Sequence, residues 1–247
     1  MNKIVVVLVL LISTQFIQSQ KLTKNNLKEI ELANYKKVVK QAITYNDVQT
    51  AIGGMHQIIA IEGENSVYKD SLAITYYQSG NFVSSHLLAK ELLLVKPSSI
   101  KLLEINAVSL QRLNLTKEAI NAYEILFLKT NNMVYGYQLA ELQFSIKRLA
   151  EAQNTIVKTI TCKEIENAYV QFAIGKDKSQ NVSLKAAAYN LQGLIFFELK
   201  DTKRANSAFN EALKIMPEFA TATQNLNSIL LNIKKEKGKI NNVTKNN

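Results

Sequence analysis

The sequence is poor in the residues that end or bend chain segments. Its 247 residues include only 2 prolines and 8 glycines. β-Sandwiches and barrels need many tight turns, which draw on these two residue types, whereas long runs without them favour helices. The composition therefore predicts a mostly helical protein. Its hydrophobic fraction of 47% is enough for a real core.

Residues that hold metals or form covalent links are also scarce. The chain has no tryptophan, one cysteine (Cys162) and two histidines (His56 and His86). A disulfide framework needs paired cysteines, and a zinc site needs clustered Cys and His ligands. The Gly53-Gly54 pair lies in a helical pattern without a preceding strand, so it indicates a weak point in a helix rather than a phosphate loop. We therefore expect no metal site, no cofactor and no enzymatic activity.

The first residues differ from the rest of the chain. Lys3 precedes a run of apolar residues from 4 to 12, and polar residues follow it. The run is shorter than the about 20 residues that span a membrane, and this arrangement is typical of a secretory signal. We predict a signal peptide at residues 1–19, cleaved after Ser19, and export to the periplasm or envelope of a bacterial cell. An uncleaved membrane anchor is the alternative.

Positive charge is concentrated at the other end. The formal net charge is +10, and residues 234–247 combine several lysines with few apolar residues, which predicts a disordered basic tail. Basic proteins often bind nucleic acid, but an exported protein rarely meets it, so we expect no nucleic-acid partner. The tail is either solvated or in peripheral contact with an anionic membrane surface.

A helix pair stands out between Ala186 and Phe219. Small and aromatic residues recur in it at helical spacing, followed by a proline: Gly193, Ala205, Phe209, Ala212 and Pro217. This pattern resembles the tetratricopeptide repeat, a unit of about 34 residues made of two helices.

The same pattern recurs along the chain. Small residues fall at matching places in five second helices: Ala51, Ser85, Ala119, Ala152 and Ala205. Helices that pack about 8–10 Å apart need small residues at the crossing point. The resemblance implies an all-α, right-handed solenoid of about five helix pairs over residues 20–233, with repeats near 32–65, 66–99, 100–132, 133–165 and 186–219. A generic helical bundle is the alternative.

Three further segments complete this architecture. Residues 25–45 predict an entering helix, with a shared side that carries Leu27, Ile30, Val38, Ala42 and Tyr45. Residues 218–233 predict a helix that caps the last repeat. Within an insert at 166–185, apolar residues alternate around a polar turn, which predicts a β-hairpin at 168–184. A continued helix with a loop is the alternative to the hairpin.

The resemblance also implies where a partner binds, because the first helices of such repeats line a concave groove. The groove candidates are Asp70, Ile74, Tyr77, Gln78, Glu104, Val108, Arg112, Tyr137, Glu141, Phe144, Asn190, Leu194 and Phe197. Many family members grip a partner's terminal carboxylate with groove Lys, Arg and Asn residues. Here acidic residues take several of those places, which argues against that mode.

The aromatic candidates favour an apolar groove for an extended or helical segment of an unidentified protein or peptide. The resulting hypothesis is a non-enzymatic interaction scaffold. Two alternatives stay open. In the first, the groove assignment is off by one place and some candidates are packing residues. In the second, the hairpin or the tail is the main contact and the chain is a structural subunit of an envelope assembly.

Overall fold

The computed structural model describes residues 25–231. The predicted signal peptide at 1–19, the basic tail at 234–247 and the last residues of the predicted cap helix lie outside this range. The chain divides into two compact units, one up to Ser109 and one from Leu110 onward. Each unit is built from antiparallel helices that pack side by side.

The N-terminal unit contains the helices that precede the division at Ser109. They are α1 (25–44), α2 (Val48–Glu62), α3 (Tyr68–Gln78), α4 (Phe82–Val95) and most of α5 (Ile100–Arg112). Asn81 caps α4 with its side chain, which accepts from the Ser84 amide, and Gly80 before it takes a positive φ of 78° that favours glycine. Cap residues of this kind explain where the helices begin.

The C-terminal unit continues the helix pairs and adds two strands. Its elements are α6 (Thr116–Thr130), α7 (Met133–Ser145), α8 (Leu149–Thr161), β1 (Tyr169–Ala173), β2 (Ser179–Ser183), α9 (Leu184–Glu198), α10 (Thr202–Ile215) and α11 (220–231). The predicted all-α repeat fold with a hairpin insertion is confirmed.

The small residues at the predicted crossing points are all buried. Ala51 is 2% exposed, and Ser85, Ala119, Ala152 and Ala205 are 0% exposed. Ser85 keeps its hydroxyl satisfied there by donating to the carbonyl oxygen of Ala73 on α3, at 3.2 Å. The burial confirms that these positions let neighbouring helices approach closely.

The packing side of α1 differs from the predicted one. Val39 is 3% exposed and packs with Ala42 against α2, whereas Val38 is 39% exposed. Leu27, Ile30 and Tyr45 are exposed as well. Helix α1 carries two apolar stripes at helical spacing, and the stripe through Leu32, Tyr35, Val39 and Ala42 contacts the core. Only Ala42 of the predicted side is buried.

The hairpin is antiparallel and packs on the start of α11. Val170 pairs with Val182, which is buried, and Phe172 pairs with Gln180. The Phe172 ring meets the Phe219 ring edge-on, with centroids 4.8 Å apart. Gln180 donates to the carbonyl oxygen of Glu218 at 2.7 Å and accepts from the amide of Ala220 at 3.1 Å. An isolated hairpin is marginally stable, so these contacts explain why this one forms.

Within residues 25–231, no helix combines the length and the apolar character needed to cross a membrane.

Candidate partner-binding face

The N-terminal unit places the α3 candidates against its own core. Ile74 and Tyr77 pack on a buried cluster formed by α3, α4 and α5. The Nζ of Lys101 lies 5.9 Å from the centre of the Tyr77 ring, and Asp70 forms an ion pair with Lys96. These side chains are half-buried, and much of their interaction capacity is used within the unit.

Two of the candidates in the C-terminal unit are wrong as surface residues. Tyr137 is 3% exposed and Asn190 is 2% exposed. The Oδ1 of Asn190 accepts a hydrogen bond from the Nδ2 of Asn225 on α11, at 2.9 Å. Helix α11 thus covers Asn190, and the side chains of Tyr137 and Asn190 both belong to the interior rather than to a groove.

Four candidates remain accessible on helices that touch each other, α7 and α9. Glu141 is exposed, and Phe144, Leu194 and Phe197 are half-buried. We call these four residues the α7–α9 face. Arg112 is also exposed, at the end of α5.

An ion pair missed by the sequence analysis joins the two helices of this face at one end. Lys147, just after α7, pairs with Glu198 at 3.1 Å. Its Nζ also lies 5.4 Å from the centre of the Phe144 ring, within range of a cation–π contact. One end of the face thus carries a charged pair beside the Phe144 ring.

Glu141 is the charged residue of this face, and its pKa is shifted. It is exposed to solvent, yet surrounding protein raises the pKa of its carboxyl above the ordinary 4.5 by desolvation. A hydrogen bond from the Tyr137 hydroxyl acts in the opposite direction and is the smaller effect. Desolvation and the neighbouring Glu141 carboxylate together raise the pKa of Tyr137.

A cleft that no sequence pattern indicated lies among α6, α7 and α8. The cleft has a volume of about 350 Å³ and is lined partly by Glu124, Leu139, Gln143 and Lys158. Gln143 is buried, and its Oε1 has no hydrogen-bond partner among the described residues. Gln143 occupies the repeat position that Tyr76 and Phe196 occupy in two other repeats. A smaller polar side chain there leaves the space unfilled.

The histidines and the cysteine are held by packing contacts. The Nε2 of His56 bonds to the Tyr76 hydroxyl at 2.7 Å, and the Nδ1 of His86 to the Asn106 Oδ1 at 2.8 Å. Cys162 ends α8 and is buried, with its Sγ 3.3 Å from the Asn131 Oδ1. Burial raises the pKa of the Cys162 thiol. The described residues contain no group of three or more His, Cys, Asp or Glu side chains arranged for a metal ion.

Comparison with known proteins identifies the fold. No protein-family profile matches the chain, and no curated protein is similar to it in sequence. Solved structures do match. A MamA structure aligns with a TM-score of 0.59 at 17% identity, covering 77% of this chain and 94% of that one.

Two further structures give the same result. MamA from Desulfovibrio magneticus RS-1 aligns with a TM-score of 0.56 at 11% identity, over 77% of this chain and 97% of that one. YrrB, described as a TPR protein with an unusual peptide-binding site, aligns with a TM-score of 0.58 at 12% identity, over 77% of this chain and 89% of that one. The chain therefore has the tetratricopeptide-repeat fold that its sequence resembles.

Proposed function

We propose that this chain is a non-enzymatic scaffold that binds a segment of a partner protein on the α7–α9 face. One observation carries the proposal. Phe144 on α7 and Leu194 and Phe197 on α9 stay half-exposed on two helices that contact each other, although the core that Leu194 and Phe197 pack against, formed by Phe196, Ala205, Ala208, Phe209 and Ile229, is buried. Aromatic and aliphatic side chains grouped on an accessible surface are the usual centre of a protein contact.

The fold is consistent with this role. Stacked helix pairs present extended binding surfaces, and the similar YrrB structure is described as having a peptide-binding site. That property belongs to YrrB. For the present chain it supports looking for a peptide-like ligand before any small molecule.

We also propose that the chain acts outside the cytoplasm, in the periplasm or at the cell envelope. The support is the apolar run at residues 4–12 after Lys3. Cell fractionation followed by N-terminal sequencing tests this part by itself. Export with cleavage predicts a mature chain that begins at Gln20. A chain recovered from the cytoplasm with residue 1 intact would contradict it.

Site-specific photo-crosslinking tests the binding face. A photoreactive amino acid at Phe144 should give one dominant adduct in cells. The matched control carries it at Leu128 on α6, whose side chain is 87% exposed and lies outside the α7–α9 face. Binding on the face predicts an adduct at 144 that is absent at 128. Equal adduct patterns at the two positions would contradict the proposal.

The second candidate function is a structural subunit that uses the hairpin. Tyr169 favours it, because this aromatic residue of β1 is 58% exposed. Tyr169→Lys leaves the Phe172 and Gln180 contacts in place, so it separates the two functions. Loss of assembly with an unchanged adduct at 144 would support the subunit role.

A further inference from the structure

The acidic residues among the groove candidates are neutralised within their own units, with one exception. Asp70 pairs with Lys96, and Glu104 pairs with Lys101 at 3.4 Å. The neighbouring Glu198 pairs with Lys147. Among the described residues, none of the lysines and arginines forms an ion pair with Glu141. The carboxylate on the α7–α9 face therefore has no cation of its own.

The surroundings of Glu141 favour an incoming cation. The Tyr137 hydroxyl supplies one hydrogen bond, and a carboxylate has two oxygens that can accept several. Surrounding protein has already removed part of the water from this group. An approaching positive charge thus meets less screening than it would beside a fully hydrated carboxylate.

The rest of the face suits the body of a long basic side chain. Phe144 lies almost one helical turn after Glu141, on the same side of α7. Lysine and arginine bury their aliphatic stems on apolar surface while the charged group reaches a polar partner. Leu194 and Phe197 are further half-buried apolar side chains on α9, the helix that contacts α7.

We propose that the partner segment presents a lysine or arginine to Glu141 and apolar side chains to Phe144, Leu194 and Phe197. This inference rests on the proposed function and adds the chemistry of the partner. The face then binds peptides that combine basic and apolar side chains. Its preference for positive charge is the opposite of that of family members that bind a partner's terminal carboxylate.

A displayed library of random 12-residue peptides tests the inference, with the purified chain as the target. Peptides selected on the unaltered protein should be enriched in Lys or Arg at one position next to apolar residues. Selection on Glu141→Lys should replace that enrichment with Asp or Glu. Phe144→Ala combined with Leu194→Ala should bind none of the selected peptides, and thermal unfolding checks that each variant is folded.

A double-mutant cycle then measures the contact itself. Replacing the selected basic residue by norleucine should weaken binding about ten-fold on the unaltered protein, the range expected of a close charge pair. The same replacement should change binding less than about two-fold on Glu141→Gln. Equal losses on both proteins would overturn the assignment of Glu141.

The outcomes separate the two proposals. Selected peptides that need Phe144 and Leu194 but show no basic preference would overturn this inference and leave the scaffold function standing. A library that yields no peptide dependent on the face would overturn both.

Discussion

The ring of Phe209 on α10 lies directly against the backbone of Gly193 on α9. A Cβ atom on Gly193 would come within 2.6 Å of that ring, which is far inside normal van der Waals contact. Gly136 stands in a similar relation to Phe127 on α6, at 2.8 Å, and its Cβ position would lie still closer, at 2.3 Å, to the Oγ1 of Thr159 on α8. Both glycines therefore serve close approach, where one helix of a pair receives an aromatic ring of another.

Gly193→Ala should destabilise the C-terminal unit by about 1–3 kcal/mol, because the added methyl group overpacks the contact with Phe209. Urea unfolding measures the loss. Gly53→Ala is the matched control, since no described residue beyond the local backbone of its own helix comes within 4 Å of its Cβ position; it should stabilise by about 0.5–1 kcal/mol through helix propensity. Adding Phe209→Leu to Gly193→Ala should recover part of the loss. Equal effects of the two glycine substitutions would contradict the packing explanation.

Gln143→Leu should stabilise the chain by about 1 kcal/mol or more, because it removes a buried acceptor that has no partner and fills part of the cleft. Gln111→Leu is the control, and it should change the stability in the opposite direction. Its amide donates to Gln138 at 2.8 Å and accepts from Tyr123 at 2.7 Å, so its loss should destabilise. Thermal unfolding compares the two. A melting temperature lowered by both substitutions would show that Gln143 is satisfied in solution.

Phe172→Ala or Gln180→Ala should loosen α11, because the hairpin holds the start of this helix through Phe219 and Ala220. We expect amide exchange within 220–231 to accelerate several-fold while α6 stays protected. Gln171→Ala serves as the control, since this exposed side chain points away from the paired contacts. Unchanged exchange in α11 would mean that the cap helix holds itself in place.

Glu141→Gln should stabilise the fold at neutral pH, because the raised pKa means that the folded state disfavours the ionised carboxyl. The free-energy penalty for ionising Glu141 in the folded state develops as pH rises from the ordinary pKa of 4.5 toward the raised pKa. It is complete above the raised pKa. The gain should therefore disappear at pH values below both. Melting temperatures between about pH 4 and pH 8 test this.

Glu62→Gln provides the opposite case for comparison. Hydrogen bonds from Lys36 and Ser66 lower the pKa of Glu62, so its carboxylate contributes stability that is present above 4.5 and is lost as pH falls through the lowered value. The substitution should destabilise at neutral pH. If Glu141→Gln followed the same pH profile as Glu62→Gln, the desolvation of the Glu141 carboxyl would be refuted.

Local patterns were enough to predict the repeat and the hairpin. Small residues such as Ala119 and Ala205 occur at regular places because the crossing of two helices excludes larger ones. The alternation around Val170 and Phe172 has a period of two, which only a strand explains. These signals depend on the residue and its neighbours in sequence.

The turns after the first helices show a regularity that residue types conceal. Gly80, Asn114, Lys147 and Lys200 all take a positive φ, between 58° and 78°. Glycine and asparagine adopt this conformation readily, but lysine has no preference for it. The repeat geometry imposes the positive φ on Lys147 and Lys200, so the lysine residue type did not indicate this turn conformation.

The candidate site was predicted only in part, because burial depends on which neighbour covers a helix. Asn190 and Leu194 lie one turn apart on α9, and the Asn225 contact buries the first alone. The two stripes of α1 posed the same problem, since Val38 and Val39 fit a helical period equally well. Knowledge of the adjacent helix is needed to choose between them.

The position of Cys162 gives the protein an internal probe of local opening. It is the single thiol of the chain, and both its burial and its raised pKa keep the reactive thiolate scarce while α8 stays closed. The rate at which an alkylating reagent modifies the native protein thus reports how often the end of α8 unwinds. This readout needs no engineered label, and it comes from one defined point between the helix pairs and the hairpin.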